Sequence, residues 1–364
     1  QALASKKKSK PFFMGVGFIR PHTPLVVPQR FFDMFPLESI TLPVIKPGDV
    51  DDTHARSVRG IPKNKEPNSI RTSDMGLRLF SKLVASYKSQ EEALRRFIQA
   101  YLASVASADE QIGRILDAVD KTGLKNNTII ILTSDHGWGM GEKDYLYKNS
   151  LWQESTRVPL VIRAPSIAKP GGATDQPVSL IDLYPTLIDL CGLKGNTKKN
   201  DKGHSLDGHS LQPLLSDPAG GKWTGPPEAL TALYKWARSY DPATQSYSLR
   251  GRQWRYIRYG NGKEELYNTT SDPYEWDNLA AKPGQAGRLK AFRKKLAGRL
   301  PDPASKPAAA DKKGDAELWK NRYFASHPEA DTNRDGKLTW VELKAHKARK
   351  DAEKAPAKKS SKKN

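Results

Sequence analysis

Thr128-Ile129-Ile130-Ile131-Leu132-Thr133-Ser134-Asp135-His136-Gly137-Trp138-Gly139 is the stretch on which the reading of this chain turns. Its first half is a continuous apolar run, rich in β-branched residues. Strands covered on both faces, as in parallel sheets, are written this way. The run ends on a carboxylate and an imidazole side by side, then on a turn with two glycines. In open α/β sheets, ligands collect beyond the carboxyl ends of the strands. A hard carboxylate beside an imidazole suits a divalent cation, or an anion held through one. Each residue also has a plainer reading: Asp135 as a cap at the strand end, His136 as a loop histidine satisfied by its neighbours.

Upstream, residues 11–18 read as a buried strand, and a proline-rich irregular stretch follows to about residue 65. A long irregular stretch inside a compact domain is often functional. Leu77 to Val119 reads as helical, with Ile112, Ile115, Leu116 and Val119 as an apolar stripe at helix spacing. Downstream, Val158–Ile162 reads as a second short buried strand and Leu180–Leu190 as a helix. Ser246–Arg250, Trp254–Tyr259 and Glu265–Tyr267 alternate, with Gly260-Asn261-Gly262 between the last two, which is an antiparallel hairpin pattern.

The fold expected is α/β: a mixed, mainly parallel sheet flanked by helices, a small antiparallel C-terminal subdomain, and an EF-hand-like helix-loop-helix tail. The expected segments are a core over 1–222, the subdomain over 223–300, a Pro/Ala/Lys linker over 301–315, the calcium motif over 316–350, and a basic unstructured tail over 351–364.

The chain of 364 residues, with eight Trp and a formal charge of +20, is long enough for a sizeable core. Much of the charge excess sits in Lys6, Lys7, Lys8 and Lys10 and in the stretch after Leu343. Charge blocks of this kind are usually solvated tails. No recognition motif accompanies them, so a nucleic-acid partner is not expected. No apolar run approaches the ~20 residues that cross a bilayer. The single cysteine, Cys191, excludes an internal disulfide.

Four blocks resemble the sulfatases of the alkaline-phosphatase superfamily, most closely the iduronate-2-sulfatase-like branch. They are Pro11–Phe18 with Arg20-Pro21-His22-Thr23-Pro24; Ser134–Glu142 followed by Lys148; Ser155–Leu160; and Asp182–Leu187. His136 favours the iduronate-type branch, since many relatives place Asn there. The resemblance implies hydrolysis of a sulfate ester on a glycan or a small molecule. It implies that Asp135 and His136 hold a calcium ion. It implies that His22 and Lys148 bind and polarise the sulfate, and that the nucleophile is a formylglycine made from Cys or Ser in a C/S-x-P/A-x-R motif.

That motif is absent from this chain, and Cys191 lacks its pattern. The formylglycine and an acidic pair completing the calcium site are therefore expected upstream, with the chain as the C-terminal portion of a sulfatase. The N-terminal portion of the same enzyme is an expected partner, and this polypeptide alone is expected to be inactive. The resemblance favours a periplasmic, secreted or lysosome-like compartment. Two alternatives stay open: a phosphodiesterase or phosphonate hydrolase of the same superfamily, and a non-catalytic calcium- or polyanion-binding module.

The tail carries a separate signal. Asp331-Thr332-Asn333-Arg334-Asp335-Gly336-Lys337-Leu338-Thr339-Trp340-Val341-Glu342 fits the twelve-residue EF-hand loop. Asp331, Asn333, Asp335, Thr339 and Glu342 place side-chain oxygens at its ligand positions, and Lys337 supplies a backbone carbonyl. The bland reading is an acidic turn between two helices.

Overall fold

The computed structural model describes residues 11–54, 74–194, 203–234, 241–301, 320, 323, 324 and 326–353. The expected linker beyond residue 301, most of the helix expected to enter the tail loop, and the terminal tail beyond residue 353 lie outside these. The chain divides into two compact units, Gln1–Leu300 and Pro301–Asn364.

In the first unit the helical stretch is two helices. Helix α1 (Met75–Ala85) begins at Asp74, whose carboxylate accepts from the Gly76 N–H at 2.9 Å. An acidic side chain here satisfies an otherwise orphaned amide and meets the positive end of the helix dipole. Helix α2 (Gln90–Lys121) begins at Ser89, whose hydroxyl accepts from the Glu92 N–H at 3.1 Å. The break falls at Ser86–Ser89, where two caps compete with continued helix. α2 buries Ala93, Leu94 and Ile98, and the last two pack with Phe80 and Ile40. The stripe farther along α2 is not core: Ile115 and Leu116 are exposed.

Strand β1 (Ile130–Thr133) pairs with β2 (Leu160–Arg163). The pairing is antiparallel, with Ile131 opposite Ile162, and β2 is its sole partner among the described residues. This corrects the expected parallel sheet. It also corrects the expected burial, because Leu132 is 40% and Val161 60% exposed. An apolar run says that a strand suits burial; direction and cover depend on what arrives beside it. Residues 11–18 likewise form extended, exposed chain and no strand, with Phe13 84% exposed. No described neighbour offers them a ladder.

The antiparallel pattern near the end of the unit is realised. Strands β3 (Ala229–Leu233), β4 (Ser246–Arg250), β5 (Trp254–Arg258) and β6 (Glu264–Asn268) form one sheet in that order. Alternation divides its faces. Tyr256, Leu249 and Leu266 pack on Leu289, Phe292 and Leu296 of a helix over Ala286–Ala297. Ile257, Tyr259 and Tyr267 pack on Leu77, Tyr145, Leu151 and Trp152. The second face thus shares a core with the segment that follows β1. Another helix, Leu183–Leu190, is preceded by a capping box between Ser179 and Asp182.

In the second unit Leu338, Leu343 and Ala330 form a small core with Tyr323 and Phe324. The helix leaving the loop spans Trp340–Glu353. The fold is mixed α/β, with helices and antiparallel sheets among the described residues. No described helix is long and apolar enough to cross a membrane.

Candidate active site

The turn after β1 is laced to the chain that follows it. The N–H groups of Gly137, Gly139 and Gly141 donate to the carbonyls of Ser155, Tyr147 and Tyr145 at 2.9, 3.0 and 3.0 Å. At Gly137 this close approach excludes a side chain, since a Cβ would lie 2.0 Å from the Glu154 carbonyl oxygen. Trp138 pins the turn from the other side, packing edge-on to Tyr147 and among the Phe80–Leu94 core.

Asp135 and His136 ride on this anchored turn. The Asp135 side chain is 86% exposed, and its Oδ1 accepts from the His136 N–H at 3.0 Å. His136 Nδ1 lies 2.8 Å from the Gly137 carbonyl oxygen. A carbonyl can only accept, so Nδ1 carries the proton and neutral His136 keeps its lone pair on Nε2. That Nε2 sits 3.5 Å from Asp135 Oδ2. An anionic oxygen and an imidazole nitrogen thus lie close enough to be offered to one cation. Fixing one ring nitrogen on a carbonyl is how ligand histidines are oriented. The pair makes part of a cation site: among the described residues no group of three or more His, Cys, Asp or Glu is placed to hold a metal ion.

Lys148 follows the Tyr147 rung, so it lies on the segment tied alongside the turn. It is half-buried and forms no ion pair with a described residue. His22 lies in the extended N-terminal stretch, between the cis bonds Arg20–Pro21 and Thr23–Pro24. It is exposed, and its Nδ1 donates to the Thr23 carbonyl at 2.5 Å, leaving Nε2 available. Among the described residues, no hydrogen bond or ion pair links His22 or Lys148 to Asp135 or His136.

Comparison with known proteins gives the lineage. The family described as "Sulfatase" matches residues 1–193, and "N-sulphoglucosamine sulphohydrolase, C-terminal" matches 141–301. The chain belongs to the sulfatase family. It is 35% identical over 281 residues to a sulfatase of Formosa agariphila, covering 76% of this chain and 47% of that one. It is 33% identical over 213 residues to the iduronate 2-sulfatase of Mus musculus, covering 52% and 37%. A solved phosphonate monoester hydrolase of Agrobacterium radiobacter superposes with a TM-score of 0.62 at 27% identity, over 80% of this chain and 57% of that one. This sulfatase chain spans about half the length of the first curated relatives it matches.

The residues that hold the turn come from far along the chain and carry no local motif. Arg255 of β5 is 2% exposed, pairs with the buried Glu275, and donates to the Leu151 carbonyl at 3.2 Å and Thr156 Oγ1 at 3.1 Å. Glu275 Oε2 accepts from the Gln153 N–H at 3.1 Å. Residues 151–156 carry Ser155, which anchors Gly137, so this buried pair acts on the turn from the sheet. Lys143, also fully buried, pairs with Asp49 at 2.9 Å and donates to the Glu275 carbonyl. Burial outweighs the Lys143 charge and pushes Asp49 up to about 6. Glu154 beside Gly137 is pushed up to about 7 by burial, and then by the Glu275 charge. One signal was available: Arg255 shares its strand face with Ile257, an inward position for a charge.

In the second unit, the loop Asp331–Glu342 closes on itself through its carboxylates. Asp331 accepts from the N–H groups of Arg334 and Gly336 at 2.8 and 2.9 Å, and Asp335 from Lys337 at 2.8 Å. Asn333 bridges to Asp335 at 3.1 Å. Glu342 Oε1 takes the Thr332 hydroxyl at 3.0 Å, and Oε2 the Thr339 hydroxyl at 2.7 Å. These bonds, those from Thr339 foremost, hold Glu342 down at about 2. Gly336 takes φ +78°, the sharp turn that such loops need.

Proposed function

We propose that this chain supplies one wall of a sulfate-ester hydrolase site. The observation that carries the reading is the Nδ1–carbonyl bond of His136, which leaves Nε2 facing Asp135 Oδ2. Calcium is the expected occupant, held by Asp135 and His136 together with carboxylates on an N-terminal portion that also bears the formylglycine. When bound, it supplies Lewis-acid neutralisation of the sulfuryl oxygens. Lys148 adds a fixed ammonium where negative charge grows, worth most in a site that excludes water. His22, with Nε2 available, is proposed to act in its doubly protonated form, whose Nε2–H donates to the ester or leaving-group oxygen and can pass it the proton.

The substrate class proposed is a sulfated glycan, uronate-type by likeness to the iduronate 2-sulfatase, in a periplasmic, secreted or lysosome-like compartment. The superposed phosphonate monoester hydrolase supports a second reading, since a cation-centred site serves either tetrahedral anion. The tail loop is proposed as a separate calcium site.

The test is turnover by the complete protein of a 2-O-sulfated uronate disaccharide against a phosphonate monoester. Faster hydrolysis of the sulfate supports the proposal. Faster hydrolysis of the phosphonate selects the second reading, and glycan binding without turnover of either selects a non-catalytic module.

A further inference from the structure

Trp254 and Arg255 are neighbours on β5 and point to opposite faces of the sheet. Arg255 holds the active-site turn. Trp254 faces the other way, into a groove of about 570 Å³ between the β4–β5 turn, the approach to β3, and the helix Ala286–Ala297. Small-molecule sites typically span ~300–1,000 Å³.

The charge in the groove is unbalanced. Arg252, Arg288 and Lys295 line it, against one lining carboxylate, Glu228. Glu228 is already served twice, by Lys295 Nζ and by Arg299 Nη2 at 2.9 Å. Arg288 lies over the Trp254 ring, 3.7 Å from its centroid, and donates to Gln285 Oε1 at 2.6 Å; neither partner is anionic. Arg252 is exposed and makes no hydrogen bond or ion pair with any described residue. Two guanidinium groups without a counter-charge therefore share one cavity. Beneath them the lining is apolar, with Trp254, Phe292 and Pro227.

We infer that this groove binds an anionic sugar residue, remote from the scissile bond, and so anchors a polymeric substrate. A guanidinium fork matches a carboxylate or sulfate through paired hydrogen bonds. The apolar floor suits the C–H face of a sugar ring, which a bare phosphate or sulfate would leave unused. The saccharide as ligand rests on the sulfatase reading; the unpaired cations do not.

The experiment is calorimetry of the full chain with a heparin-derived hexasaccharide, with neutral maltohexaose and inorganic sulfate as controls. The variant Arg252→Gln/Arg288→Gln is compared with Lys359→Gln/Lys362→Gln, which removes equal charge from the basic tail. The groove pair should weaken hexasaccharide binding by about tenfold or more, since each guanidinium forms charge-assisted bonds. The tail pair should change it by less than about threefold. The Arg252→Gln single variant, at a position with no structural bond to lose, should show part of the effect with an unchanged melting temperature.

Equal losses from the two pairs would make binding a general polyanion effect and overturn the proposal. Equal affinity for maltohexaose, or sulfate binding as tightly as the hexasaccharide, would do the same. Because binding is read without turnover, a complete protein inactive on sulfate esters would sink the proposed activity and leave this result standing.

Discussion

His136 Nε2 lies 3.5 Å from Asp135 Oδ2 while the other ring nitrogen of His136 is committed to the Gly137 carbonyl at 2.8 Å. Two adjacent residues thereby become a pair of converging donors, because the backbone takes the one ring proton that would otherwise compete. Asp135→Ala should abolish sulfate-ester turnover in the complete protein by removing the anionic donor. The Asp135 side chain is 86% exposed, so the melting temperature should hold within a degree or two, about the scale of a surface change. Aryl-sulfate kinetics and a thermal melt check this; near-normal turnover by the folded variant would remove Asp135 from the site.

Lys148→Ala should lower kcat of the complete protein by about 10²-fold or more, as expected for loss of a preorganised charge. Lys148→Arg should recover part of it, since the charge returns with a different shape. A loss of stability with unchanged kinetics would place Lys148 on the solvated surface.

Arg255 and Glu275 form a buried ion pair, so deleting one member strands the other. Arg255→Met should destabilise the chain by ~3–5 kcal/mol. The double variant Arg255→Met/Glu275→Gln should cost less than the single one, because no bare charge is left behind. Urea unfolding of the three proteins decides. Equal stability of the single variant and the parent would show that the pair does not hold residues 151–156.

The Glu342 carboxylate is held at about 2, below its ordinary 4.5, by bonds that need its charged form. A depressed acid stabilises the fold above its unfolded pKa, and that contribution is lost as pH falls through the folded value. The loop should therefore persist at pH 5 and loosen between about pH 4.5 and 2, followed by the Thr332 and Thr339 amide signals of the full chain. Calcium at millimolar level should shift those same signals, and Glu342→Ala should remove the response while leaving sulfate-ester turnover nearly unchanged. A Glu342 titration at 4.5 or above, or amide signals indifferent to calcium, would reduce the loop to a polar turn.

Some of this protein was legible from local pattern. The alternation of β4, β5 and β6 and the Gly260-Asn261-Gly262 turn appear in the structure as read, with Gly262 at φ +80°. So does the turn of the tail loop at Gly336. The adjacency of Asp135 and His136 needed no folding at all. Other expectations failed for one common cause. The apolar run from Thr128 predicts a strand covered on both faces, as in a parallel sheet, and residues 11–18 predict a buried strand; one is antiparallel and half open, the other exposed, because cover and direction come from distant neighbours that the local pattern does not name.

By itself, then, the sequence determined what depends on near neighbours: strand period, turn chemistry, helix caps, and the donor types at the end of β1. Backbone sterics and short-range hydrogen bonds set these within a few residues. Only the tertiary structure decided what depends on partners far along the chain. Lys143 meets Asp49 across 94 positions, Arg255 reaches Leu151 across 104, and Arg252 and Arg288 come to share one groove. A buried charge is tolerable only beside its complement, and an exposed one acts only with what shares its cavity; neither condition is written in the spacing of residues along a strand.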